Sequence, residues 1–243
     1  MALYQEGRNA LLAFMRTATL TGFVAATIIC SGPAAAQLER ITNKEAVAGL
    51  KAALEKGSQA AVAALGRNDG FFGNPQVKIP LPDSLTRAEK VMRRVGMGRQ
   101  ADELVVSMNR AAEAAVPEAR QLLTDSVKKM TVQDAKGILT GGETSGTDYF
   151  KRSTRTQLHD RFLPIVKKST AKVGVSQKYN EYAEQGAALG LVNKADANLD
   201  EYVTQKALDG LYLMIGEEEK KIRKDPVGTG TAIIRKVFGA MQK

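Results

Sequence analysis

The chain has 243 residues, with 35 lysines and arginines against 26 acidic residues, one histidine, one cysteine and no tryptophan. Those counts exclude disulfide scaffolds and Cys/His zinc sites. Apolar residues at 44%, charged residues at 25% and a net charge of +9 describe an ordinary, moderately basic globular protein.

Residues 1–36 read as a leader rather than as part of the fold. Arg8 and Arg16 form a positive start, and Thr17 to Cys30 is an apolar run of about 14 residues, short of the ~20 that a spanning helix needs. The small residues Ala34 and Ala36 then fit cleavage before Gln37. The expected mature chain, 37–243, is a single helical domain without a transmembrane segment. The leader holds two arginines, one glutamate and the sole cysteine, so the remaining 207 residues carry +8 and no thiol. Export makes periplasmic or secreted localisation the expectation and sets nucleic acid aside as a partner.

After the leader, helix follows helix. Thr42-Asn-Lys-Glu45 has the capping-box pattern, and the spacing of Val47, Leu50, Leu54, Ala61 and Leu65 predicts a helix ending at Gly66. Residues 66–82 hold three prolines and several glycines, which forbid a long helix. Within them Val77, Ile79 and Leu81 alternate, which predicts a short extended, Pro-rich segment near 71–82, in the manner of an edge strand. Helices are predicted from Asp83 or Ser84 to Val95, from Gln100 to Ala115, and from Pro117 to about Met130. Thr131-Val-Gln-Asp134 caps a short helix that stops at Gly141-Gly142. Ser145 starts a long helix striped by Phe150, Thr154, Leu158, Phe162 and Val166, which Pro164 should kink or break. Another helix is predicted at 175–191. Leu199 to Arg223 is apolar nearly all round over 207–216, so it should be central. A last helix follows Asp225-Pro226. The fold class is therefore all-α, one compact multi-helix domain.

Several phrases along this chain carry a resemblance. They are Phe71-Phe-Gly-Asn-Pro-Gln-Val-Lys-Ile-Pro-Leu-Pro82, Met108-Asn-Arg-Ala-Ala-Glu113, Asp134-Ala-Lys-Gly-Ile-Leu139 with its Gly-Gly, Asp148-Tyr-Phe-Lys-Arg152, and Leu211-Tyr-Leu-Met-Ile-Gly-Glu-Glu-Glu219. Together they resemble an exported bacterial family known only as a domain of unknown function. The resemblance implies a helical envelope protein and brings no activity, ligand or catalytic residue with it.

Charge is distributed in blocks. Residues 148–178 carry +6, residues 181–219 carry −7 and residues 220–243 carry +6, whereas 37–147 sum to only +3. Either basic and acidic helices pair with each other, or a basic face is left to meet polyanions. Lys151, Arg152, Arg155 and His159 lie close together on the basic helix and are candidate ligand-binding residues. His159 is expected to be solvated. Asn109, Arg110 and Glu113 form a second polar group, expected either to pair among themselves or to line a cleft. Asp209 interrupts the most apolar run and is a candidate buried carboxylate, with Lys206 and Gln205 as expected partners. The turn Gly141 to Asp148 leads into a helix whose free amides suit an anion, although a capped interhelical turn fits better. Asp196-Ala-Asn-Leu-Asp200 imitates the start of a calcium loop, but Glu201 stands at the turn glycine and Ala207 at the twelfth position, so it reads as a helix cap.

These patterns point to an exported cell-envelope protein acting as a non-enzymatic binding or interaction module. Its expected partner is an anionic lipid or envelope polymer, met through a basic helix face. Two alternatives stay open: a carrier holding an apolar or lipid ligand between helices, and a cell-wall hydrolase using paired carboxylates. No catalytic residue, cofactor or metal site is assigned.

Overall fold

The computed structural model describes residues 42–94, 96, 98–172, 180 and 198–241. The leader, the predicted helix at 175–191 apart from Asn180, and Asp196 lie outside them.

Helix α1 (Asn43–Leu65) begins at the predicted capping box: the Glu45 amide donates to the Thr42 hydroxyl at 3.2 Å, and the Thr42 amide donates to the Glu45 carboxylate at 3.1 Å. Helices α2 (Asp83–Arg94) and α3 (Gly98–Ala115) pack on each other. A 3₁₀ turn at Val116–Glu118 carries Pro117, whose missing amide costs nothing at a helix start, and leads into α4 (Ala119–Lys129). Helix α5 (Val132–Thr140) has its own capping box from Thr131 and Asp134. Helix α6 (Ser145–Thr170), α7 (Leu199–Lys224), the single turn α8 (Pro226–Thr229) and α9 (Ala232–Met241) complete the chain.

The protein is all-α, and among the described residues there is no strand. Helix α7 is central, as its apolar run predicts: it packs on α1, α3 and α6 and buries Val203, Ala207, Leu208, Leu211, Tyr212 and Ile215. Phe71, Phe150, Phe162 and Tyr212 are the largest fully buried side chains of one continuous core. No described helix is long and apolar enough to cross a membrane.

Two local expectations are corrected. Of the kink or break expected at Pro164, the break does not occur: α6 continues to Thr170. The ring lies on the exposed side, where the Asp160 carbonyl deprived of its amide partner stays open to solvent. Residues 71–82 do not form an edge strand. The chain turns repeatedly up to Val77 and is irregular from Lys78 to Pro82. The alternation itself holds, because Val77, Ile79 and Leu81 are all buried. What is missing is a neighbouring strand, and side chains of α3 take its place. Close approach to α7 is possible because residue 210 is glycine: a Cβ there would stand 2.7 Å from the Phe71 ring.

Candidate functional site

Asn109 and Glu113, one turn apart on α3, hold the 66–82 segment. The Asn109 amide copies a peptide unit. Its oxygen accepts from the Ile79 N–H at 2.8 Å, and its nitrogen donates to the Ile79 carbonyl at 2.9 Å and to the Val105 carbonyl at 2.8 Å. Glu113 accepts from the amides of Phe71 and Phe72 at 3.0 and 3.1 Å. Arg110 closes the group, reaching Glu113 at 2.6 Å and Asp69 at 2.7 Å. Asp69 has φ of 62°, a left-handed conformation that aspartate tolerates better than most residues, and the Arg110 pair holds it there. Arg110 and Lys78 also lie over the Phe72 ring. Asn109 and Glu113 are buried with these bonds made. The cleft lining considered for Asn109, Arg110 and Glu113 is therefore replaced by a structural clamp.

Arg155, His159 and Asp209 meet in a ladder between α6 and α7. His159 Nε2 lies 2.7 Å from Glu201 Oε1, and since a carboxylate only accepts, Nε2 is the donor. Gln205 donates to the same oxygen at 2.9 Å. Arg155 donates to the Gln205 oxygen at 2.8 Å and to Asp209 at 2.9 Å. His159 Nδ1 is 3.4 Å from Asp160. The expected solvated imidazole is thus a partly buried crosslink, 23% exposed. Burial would push the Glu201 carboxyl up, but the hydrogen bonds from Gln205 and His159, with the Lys167 ammonium nearby, outweigh it and leave the group below its ordinary value.

Asp209 is not a buried carboxylate. Its side chain is 57% exposed and its partner is Arg155 of α6, not Lys206 or Gln205. The apolar run is wider than the buried face of α7, and Asp209 shares an outward strip with Leu213, itself 43% exposed.

The buried carboxylate of α7 is Glu219, which no feature of its Glu-rich surroundings singles out. It accepts from the Gly146 amide at 2.9 Å and from the Thr147 amide and hydroxyl at 2.8 Å each. Arg223 pairs with it at 3.0 Å and also donates to the Ile138 carbonyl at 3.0 Å. The free amides at the start of α6 do hold an anion, as the Gly141–Asp148 turn suggests, but that anion is the protein's own. The register finds it: Glu219 lies four residues after Ile215 and eight after Leu211, on the buried strip.

Above this pair, between α5 and the start of α6, an open hollow of about 310 Å³ faces solvent. Asp134 and Gly137 line it from α5, and Ser145, Asp148, Tyr149 and Arg152 line it from α6. Asp134 Oδ2 is committed to the Thr131 cap, whose hydroxyl and amide, with Arg152 nearby, hold its carboxyl below the usual carboxylate range. Lys151 points to Asp148 at 3.7 Å. By contrast, the apolar cavity between α1, α7 and α9, lined by Leu50, Leu54, Ile222 and Phe238, measures about 10 Å³, room for one water at most. Asn198 caps α7 by accepting from the amides of Asp200 and Glu201, which is the helix-cap reading of the calcium-like run.

Comparison with curated proteins and with solved structures returns no match. A family model does match, over residues 40–239, which spans every described helix except the last two residues of α9. The chain belongs to the family described as protein of unknown function, DUF4197.

Proposed function

We propose that this is an exported cell-envelope protein that works by binding rather than by chemistry, and that its contact surface for anionic lipid is the outward strip of α6. The carrying observation is how the α6 cations divide. Arg155 and His159 face α7 and are tied to its side chains. Arg161 and Lys168, seven residues apart on α6, are exposed, and Lys172 in the turn just past its end is exposed too. Among the described residues, the ion pair made by this group is a loose one, Arg161 to Glu118 at 3.8 Å. Such a row attracts phosphate-bearing surfaces without a deep pocket. The leader-like start of the chain supports the envelope setting. The apolar cavity between α1, α7 and α9, at about 10 Å³, has no room for an acyl chain.

Sedimentation of the protein with vesicles of phosphatidylglycerol in phosphatidylcholine tests the strip. Binding should fall several-fold on raising salt from about 50 to 500 mM, because exposed charge is screened over a Debye length. It should be absent on pure phosphatidylcholine and lost in an Arg161→Glu, Lys168→Glu, Lys172→Glu triple variant that keeps its helical circular dichroism. Binding indifferent to salt, or unchanged in the triple variant, would defeat the proposal.

A further inference from the structure

The hollow between α5 and α6 is a separate feature from the α6 strip, and two observations bear on what it could hold. The first is Gly137. A glycine inside a helix lowers its stability relative to alanine, so a helix normally holds one for a backbone or packing reason. Gly137 has neither. Its φ is not positive, and an added Cβ would meet no atom within 4 Å. Gly137 stands in open space and lines the hollow.

The second observation is the chemistry of the wall. The hollow carries both an unshared donor and unshared acceptors. Arg152 is exposed and lies near enough to Asp134 to bias its ionisation, yet the two make no ion pair. One oxygen of Asp134 is taken by the Thr131 cap, and the other makes no hydrogen bond. Asp148 is exposed and holds Lys151 only at 3.7 Å. Its volume of about 310 Å³ reaches the lower end of the usual range for small-ligand sites, roughly 300–1,000 Å³.

We infer that this hollow binds a neutral polyhydroxylated ligand, a saccharide unit, with adjacent hydroxyls bridging the gap between Arg152 and the carboxylates of Asp134 and Asp148 and with one ring edge lying against the backbone at Gly137. A hydroxyl both donates and accepts, so a vicinal pair satisfies a guanidinium and a carboxylate together. Anions are opposed by the two carboxylates. Cations are opposed by Arg152. An apolar ligand would leave all of these groups desolvated and unpaired.

The test is ¹H–¹⁵N NMR of the intact chain titrated with methyl β-glucoside, N-acetylglucosamine and its β-1,4 disaccharide. Inorganic phosphate and ethanolamine serve as charged probes. The expected result is saturable shifts at millimolar saccharide, concentrated on Gly137, Ser145, Asp148 and Arg152. Gly137→Leu fills the hollow and should abolish the shifts while leaving the melting temperature unchanged or raised, which separates lost binding from lost folding. Arg152→Gln should weaken binding about tenfold. The inference is overturned if no saccharide gives saturable shifts, if the shifts fall elsewhere, if Gly137→Leu binds like the parent, or if only phosphate or ethanolamine binds at these residues.

Discussion

Glu219 shows how much a single carboxylate can organise. It joins the N-terminus of α6, the C-terminal half of α7 and, through Arg223, the last turn of α5. Removing one charge of a buried ion pair is costly. Glu219→Gln would take away the carboxylate charge that the Arg223 guanidinium, only 15% exposed, meets at 3.0 Å, at a cost of about 3 kcal/mol. Urea unfolding should show this as a lower midpoint at unchanged slope, and an unchanged midpoint would remove the pair from the account of stability. The sequence directs attention to Asp209 instead, because Asp209 stands among apolar neighbours whereas Glu219 stands in a Glu-Glu-Glu-Lys-Lys run. Linear surroundings mislead here. Burial in a helix follows the face, and the face is read at intervals of three and four rather than from adjacent residues. Asn109 was legible as a polar residue on an Ala-rich helix. Its peptide-like pairing with Ile79 was not, since nothing local says which backbone lacks a partner.

At the level of elements, α6 and α7 are bound by a polar ladder laid beside their apolar seam. Its pH response follows from Glu201. The folded-state value of that carboxyl is depressed, so the group contributes stability that is complete above its ordinary value of 4.5 and is lost as the pH falls through the lower folded value. Stability measured by urea unfolding should therefore hold from pH 7 down to about 5 and decline below about 4.5. Glu201→Gln should show a shallower acid decline than the parent, and an equal decline in both would mean that Glu201 takes no part. The lengths, caps and order of these helices were visible in the sequence because Thr42, Thr131, Asn198 and Pro117 act locally. Continuation through Pro164 was not, because the penalty depends on whether the orphaned carbonyl faces solvent, which only packing decides.

For the whole molecule, the blocks of charge seen along the chain answer one another in part among the described residues. The acids of α7 take Arg155 and His159 of α6, while Glu217, Glu218 and Glu219 take Lys220, Lys221 and Arg223 within a turn. A net charge of +9 is therefore a poor guide to how charge is laid out on the surface. The extended segment was legible as an exception to helix but not as a strandless one, because a sheet needs a partner and the partner's absence is a property of the assembled fold.

The clamp on α3 has a consequence for motion. Phe71, Phe72 and Ile79 sit in a stretch without regular structure, where backbone amides ordinarily trade their protons with water quickly. Here each donates to a buried side chain of α3. Deuterium exchange at these three amides should match that of the α3 backbone rather than that of neighbouring turn amides, so that an irregular loop opens only when the helical core does. Asn109→Leu should release Ile79 first, raising its exchange rate by an order of magnitude or more while Phe71 and Phe72 stay protected. If all three exchange as fast as exposed turn residues in the parent, the clamp does not operate in solution.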